Sequence, residues 1–243
     1  MNEIEKLKKL IKNSDNIVFF GGAGTSTESG IPDFRSAKTG LYNSNYEYQP
    51  EEILSHNFFF DKTKIFYDFY KKHMIYMDAK PNYLHKTLFE LEKKNKLRAI
   101  ITQNIDGLHQ MAGSKNVLEL HGSITKNTCL DCDTNYDLKY IYDYEGIPKC
   151  CKCEGLIKPK VILYEESLDQ DILNKSIDYI KNADVLIVGG TSLVVYPAAG
   201  LIEYYKGDKL VLINKSITSY DNRANLIIKD SIGKVFEEIL KEL

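Results

Sequence analysis

An α/β architecture is what this 243-residue sequence predicts: a parallel sheet covered by helices on both faces, with a small extra lobe. Three observations predict it. Short apolar runs rich in β-branched residues alternate with stretches of helical period. The first of these runs, Ile17–Phe20, passes directly into the glycine-rich segment Gly21–Gly24. All five cysteines fall between positions 129 and 153.

Met1–Asn13 sets Ile4, Leu7, Leu10 and Ile11 among Glu3, Glu5, Lys6, Lys8 and Lys9, which gives an amphipathic helix rather than a secretory signal. Strands are expected over Ile17–Phe20, Arg98–Thr102, Asp184–Val188, Lys209–Ile213 and Leu226–Ile228, and helices over Pro81–Lys94, Asp169–Asn182, Tyr196–Tyr205 and Ile232–Leu243. Near-uniformly apolar strands suit a parallel sheet buried on both sides, and such sheets bind ligands at the carboxyl ends of their strands. Three strands run there into polar clusters, Gly21–Ser26, Gln103–Asp106 and Gly189–Ser192, so one shared crevice is expected. Two segments interrupt the alternation. Ala37–Lys80 reads as a helical excursion whose stripe of Phe58, Phe59, Phe60, Ile65, Phe66, Phe69 and Tyr70 is expected to pack as core. Thr125–Lys158 is short, polar and carries the cysteines.

A formal charge of −2 from 32 basic and 34 acidic residues argues against a general nucleic-acid binder. No apolar run is long enough to span a bilayer. A cytoplasmic address and a soluble protein are therefore expected.

Cys129-x2-Cys132-x17-Cys150-x2-Cys153 has the spacing of a four-thiolate zinc ribbon. Four thiolates leave the ion no open position, so Zn2+ here is expected to be structural and to hold a lobe too small for its own core. Cys151 is either a spare thiol or a competing ligand. The glycine turn after Ile17–Phe20 suits a phosphate-binding βα junction, and Gly30–Ser36 adds an acid, an aromatic and an arginine. Gln103, Asn104 and Asp106 at a strand end could bind ribose hydroxyls and a carboxamide; as an isolated segment they would equally suit a helix N-cap. Of five histidines, only His121 stands at the junction of sheet and cysteine lobe, where an imidazole could act as base near neutral pH.

Taken together, Gly22-Ala23-Gly24, Ser29-Gly30-Ile31-Pro32-Asp33-Phe34-Arg35, Gln103-Asn104-Ile105-Asp106, His121-Gly122, the four cysteines, Lys158-Pro159, Gly190–Ala199 and Ile213-Asn214 resemble the sirtuin family in order and over nearly the whole chain. The resemblance implies a Rossmann-like NAD-binding domain (1–36, 81–124 and 159–243). It also implies a small lobe with a helical module (37–80) and a zinc ribbon (125–158). The implied activity is NAD-dependent removal of acyl groups from protein lysines, yielding nicotinamide and O-acyl-ADP-ribose, with NAD consumed as co-substrate. By motif, Ala23, Thr27 and Arg35 would line the pyrophosphate and ribose path, and Phe34 would cover the reacting ribose. Gln103 and Asn104 would contact that ribose, and Ile105 with Asp106 the carboxamide. Thr191, Ser192 and Asn214 would serve the adenosine half, with Ile232 near the adenine. His121 would be general base. The acyl-lysine peptide would enter as an added strand along Val161–Glu166 and Val194–Tyr196, using Ile162, Tyr164, Glu165 and Val194.

The chain departs from the family's usual Phe-Gly-Glu at Tyr164-Glu165-Glu166, which adds a carboxylate beside the peptide groove and predicts a preference for basic flanking residues. Tyr67-x2-Tyr70 has the tyrosine but not the arginine of the Tyr-x2-Arg carried by family members that favour acidic acyl groups, so the resemblance implies acetyl or another neutral group, a buried carboxylate having no partner here. A dehydrogenase is disfavoured by the lack of a clear Gly-x-Gly-x2-Gly. ADP-ribosyl transfer is disfavoured by His121 and the groove segments, and a nucleic-acid ribbon by the mixed charge.

Overall fold

The computed structural model describes residues 2–33 and 47–243. Its strands are β1 (Ile17–Gly21), β2 (Leu97–Thr102), β3 (Val117–Glu119), β4 (Gly122–Cys129), β5 (Asn135–Tyr136), β6 (Ile157–Val161), β7 (Val185–Gly189), β8 (Leu210–Ile213) and β9 (Leu226–Ile228). The helices are α1 (Glu3–Lys12), α2 (Pro50–Ile53), α3 (His56–Asp61), α4 (Thr63–His73), α5 (Tyr83–Lys93), α6 (Leu108–Met111), α7 (Leu138–Asp143), α8 (Gln170–Asn182) and α9 (Ile232–Leu240).

Six strands form one parallel sheet in the order β3-β2-β1-β7-β8-β9. Counted within that sheet the order is that of a doubly wound nucleotide-binding fold, and it reverses between β1 and β7. Side chains alternate between two cores, as strand geometry requires. Ile17, Phe19, Ile100, Val185, Ile187, Val211 and Ile213 pack with Leu7, Leu84, Leu88, Leu91, Val235 and Phe236 from α1, α5 and α9. Val18, Phe20, Ile101, Leu186, Val188 and Leu212 pack on the other face with Ile180 of α8 and with Ala198, Leu201 and Ile202.

Helix ends are closed by local chemistry. Asn2 accepts the Glu5 N–H at 2.8 Å to start α1, and Lys96 Nζ donates to the carbonyls of Lys12 and Ser14 just past its end. Asn82 and His85 form a reciprocal capping box on α5.

The expected helix over Tyr196–Tyr205 is instead a 3-10 segment, Ala198–Tyr204. Pro197 lies just before it, and Gly200, a poor helix former, is bonded three residues back to the Pro197 carbonyl at 3.1 Å. The aromatic stripe also differs in part. Phe58, Phe59, Phe66, Phe69 and Tyr70 are buried, but Phe60 and Ile65 are 47% and 40% exposed. Lys62 (φ −134°) breaks the helix between α3 and α4, so the apolar face does not continue in phase.

A second sheet, β5-β4-β6, is antiparallel. It covers a third core in which Phe59, Phe66, Tyr67 and Tyr70 meet Ile124, Cys129, Cys150, Ile157, Val161 and Leu163. β4 begins at Gly122 and β6 ends at Val161, so this sheet reaches from the cysteine cluster down to the edge of the crevice. Among the described residues, no helix is long and apolar enough to cross a membrane.

Candidate active site and metal centre

β2, β1 and β7 are neighbours, so their three polar carboxyl ends lie side by side. The backbone joins them: Gln103 N–H donates to Gly21 O at 2.9 Å, and Gly24 N–H donates to Gly190 O at 2.7 Å. Gly24 and Gly190 are needed for this approach. A Cβ on Gly24 would lie 2.8 Å from Gly190 Cα, and Gly190 has φ +61°.

A chain of side-chain bonds organises the floor. Asn104 Nδ2 donates to Thr25 Oγ1 at 2.9 Å and to Ser26 Oγ at 3.0 Å. Ser26 Oγ then donates to Asp106 Oδ2 at 2.6 Å, and Leu108 N–H donates to Asp106 Oδ1 at 2.9 Å. Burial raises the Asp106 pKa above the usual carboxylate value, against the lowering effect of Ser26, the Leu108 N–H and Asn104. Asn82 Nδ2 donates to Thr25 O at 2.8 Å and Ser29 Oγ at 3.1 Å, fastening the loop to α5. Sequence reading missed Thr25, Ser26 and Asn82 as individual site residues; the small hydroxyls after the glycine turn were the available signal.

His121 follows β3 and precedes β4. Its Nδ1 lies 2.8 Å from Gln103 O. A carbonyl only accepts, so Nδ1 carries the proton and Nε2 keeps its lone pair. Burial lowers the imidazole pKa, partly countered by this bond. The next residue, Gly122 (φ +73°), admits no side chain, because a Cβ would lie 2.0 Å from Lys160 O. Ile162 N–H donates to His121 O at 2.9 Å, and Ile124 N–H to Ile105 O at 2.9 Å, so β4 and the end of β6 are tied to the crevice.

The remaining predicted positions distribute as follows. Ala23 opens the 3-10 turn Ala23–Thr25, and Thr27 Oγ1 donates to Gly24 O at 3.1 Å. Gln103 Nε2 donates to Thr191 Oγ1 at 3.1 Å across the switch point. Ser192 is exposed. Asn214 Nδ2 donates to Thr191 O and Ser216 O, each at 3.2 Å. Ile232 is buried, and its Cδ1 would lie 2.2 Å from a Cβ on Gly189. Phe34 and Arg35 lie outside the described residues. Val194 is exposed. Tyr164 forms a parallel bridge with Ser55, its N–H donating to Leu54 O and its carbonyl accepting the His56 N–H. Glu165 has φ +74°, and its Oε2 accepts the Asn57 N–H at 3.0 Å. Glu166 accepts from His56, Lys158 and the Leu163 N–H. Burial pushes its pKa up, but these three partners lower it on balance.

The four predicted metal ligands converge. Cys129, Cys132, Cys150 and Cys153 present sulfurs that all lie within 4.8 Å of one another, with Cys129–Cys153 and Cys132–Cys150 each at 3.5 Å. A tetrahedron with ~2.3 Å zinc–sulfur bonds needs sulfurs ~3.8 Å apart, so the cluster fits that ion. No cysteine is in a disulfide.

Residues 22–197 match the Sir2 family model. The chain belongs to the Sir2 family. It is 61% identical over 246 residues to an NAD-dependent protein deacetylase of Clostridium tetani, covering 100% of this chain and 99% of that protein. An NAD-dependent protein deacetylase of Clostridium acetobutylicum is 59% identical over 99% of each chain. Among solved structures, a complex of Sir2 with p53 peptide and NAD+ superposes with a TM-score of 0.85 at 38% identity, covering 100% of this chain and 98% of the other. A Sir2 crystal structure holding an inhibitor, 2'-O-acetyl-ADP-ribose and deacetylated p53 peptide gives 0.84 at 36% identity and 98% coverage of both.

Proposed function

We infer that this chain is an NAD-dependent protein lysine deacetylase that releases nicotinamide and O-acetyl-ADP-ribose, with His121 as general base. The observation that carries the reading is the His121 ring, held by Gln103 O with Nε2 free, one residue from Asn104 on the strand-end network. The named activity of the Clostridium relatives supports it, as do the peptide, NAD+ and acetyl-ADP-ribose bound by the structural neighbours.

As co-substrate, NAD supplies a sugar carbon that nicotinamide leaves and that the acetyl oxygen joins. Asn104 and Gln103 orient the ribose, and Ile105 with Asp106 hold the carboxamide. Asp106 is fixed by Ser26 and the Leu108 N–H, so it reorganises little when the ring departs. His121 then takes a proton at Nε2 from the ribose hydroxyls. Ala23 and Thr27 line the pyrophosphate path. Thr191, Ser192 and Asn214 bind the adenosine half, with Ile232 packed behind it. The acetyl-lysine peptide adds as a strand against Ile162, Tyr164, Glu165 and Val194. The Rossmann-like part (1–36, 81–124, 159–243) holds the nucleotide, and segments 37–80 and 125–158 complete the cleft. We place the protein in a cytoplasmic setting, where thiols stay available to a metal.

The test is incubation with NAD and an acetyl-lysine peptide, with mass spectrometry of all products. Nicotinamide, free lysine peptide and O-acetyl-ADP-ribose are expected, and His121→Ala should be slower by ~100-fold or more. ADP-ribose retained on protein, or an undiminished His121→Ala rate, would refute the assignment.

A further inference from the structure

The sequence offers the second zinc knuckle two registers, because Cys150 and Cys151 are adjacent and both precede Cys153. Cys150 is buried among the four converging sulfurs, whereas Cys151 is exposed. Tyr136 of β5 stands between them. Its hydroxyl donates to Cys150 Sγ at 3.0 Å, accepts the Cys151 N–H at 3.0 Å, and lies 3.4 Å from Cys151 Sγ. A phenol has a single proton to give. Here Cys150 receives it, together with a longer contact from the Lys152 N–H at 3.4 Å.

Resting on the zinc assignment, we propose that Tyr136 selects Cys150 over Cys151 as the metal ligand and retards loss of the ion. A zinc ion with four thiolates carries net negative charge, and each O–H or N–H donor to sulfur disperses it. Position adds to charge. Tyr136 is held by strand pairing with Asn127, and its ring packs on Tyr140 at 4.5 Å. Tyr140 in turn donates its hydroxyl to Lys149 O at 2.8 Å. Two tyrosine hydroxyls therefore clamp residues 149–151. Bringing Cys151 inward would require that segment to turn and both bonds to break. Removing the Tyr136 hydroxyl leaves the ring packing intact but loosens the choice of sulfur.

The test uses the zinc-loaded full chain. Zinc transfer to a chromogenic chelator is timed, and iodoacetamide labelling is mapped by mass spectrometry. The wild type should be labelled at Cys151 with zinc retained. Tyr136→Phe should release zinc ~10–100-fold faster and divide its label between Cys150 and Cys151. Cys151→Ser should release zinc at the wild-type rate. Cys150→Ser should bind zinc at least ~10-fold more weakly although Cys151 is intact. A wild-type release rate or a still-protected Cys150 in Tyr136→Phe would overturn the proposal, as would zinc loss in Cys151→Ser or unchanged affinity in Cys150→Ser. A wild-type protein that binds no zinc would instead refute the metal assignment itself.

Discussion

Gly190→Ala strikes the point where the loop after β1 touches the end of β7. The added methyl would lie 2.5 Å from Thr25 N, 2.7 Å from Gly24 C and 2.9 Å from Thr25 Cγ2. Ordinary contact needs ~3.5 Å, so the β1 loop and the end of β7 must part by about 1 Å. Most of the atoms met are backbone, so no rotamer change relieves the clash. Overpacking of this kind costs ~1–3 kcal/mol. The φ of +61° adds ~1–2 kcal/mol for any residue with a Cβ. Together the substitution should destabilise by about 2–5 kcal/mol. Urea unfolding at fixed pH reads this directly, and steady-state kinetics should show a raised KM for NAD, because Gln103 and Thr191 meet across the same gap. Gly24→Ala presses on the same contact from the other side. The double variant should therefore cost less than the sum of the two singles, since one separation serves both methyls. Loss of less than ~0.5 kcal/mol in Gly190→Ala, with an unchanged KM, would refute the close-approach account.

The crevice and the core behind it give two further predictions. His85 is fully buried with Nε2 unpartnered beside His109, ring centroids 4.6 Å apart, and burial lowers its pKa to about 4. The unfolded chain takes up a proton near pH 6.5, where the folded chain does not. His85 alone should thus take away about 3 kcal/mol of stability as pH drops from 6.5 to 4, and His109, held neutral by burial more strongly still, deepens the same fall. Urea midpoints across that range check it, and His85→Gln should flatten the slope. Ser26→Ala removes the donor that most opposes the raised Asp106 pKa. It should cost ~1.5–3 kcal/mol of stability and move the acid limb of the pH–rate profile to higher pH; an unmoved limb would detach Asp106 from catalysis.

Much of the fold was legible because its strands are apolar without interruption and end in polar clusters. Ile17–Phe20, Arg98–Thr102 and Leu226–Ile228 lie within one residue of the observed strands. The 3-10 form of Ala198–Tyr204 was less legible: its apolar residues fit helical period, and only Pro197 and Gly200 signalled the tighter winding. The outward turn of Phe60 and Ile65 arises at Lys62, a residue with no breaker character in sequence. Within the site, Cys129–Cys153 spacing and His121 were readable one by one. The Thr25–Asn104–Ser26–Asp106 network was not, because its bonds join loops roughly 80 residues apart, and only the sheet order brings them together.

Glu165 unites two properties that a designer would want to vary separately. Its left-handed backbone would suit glycine, yet its carboxylate tethers the groove strand to the start of α3. Part of the negative charge expected to greet basic substrates is already taken up by the Asn57 N–H. Truncating the side chain would slacken the loop as well as remove its charge, and glycine would relieve the backbone while taking away anchor and charge at once. Altered peptide preference after such a change therefore has two sources, and Glu165→Gln, which drops the charge but keeps an acceptor for the Asn57 backbone N–H, would tell rigidity from attraction.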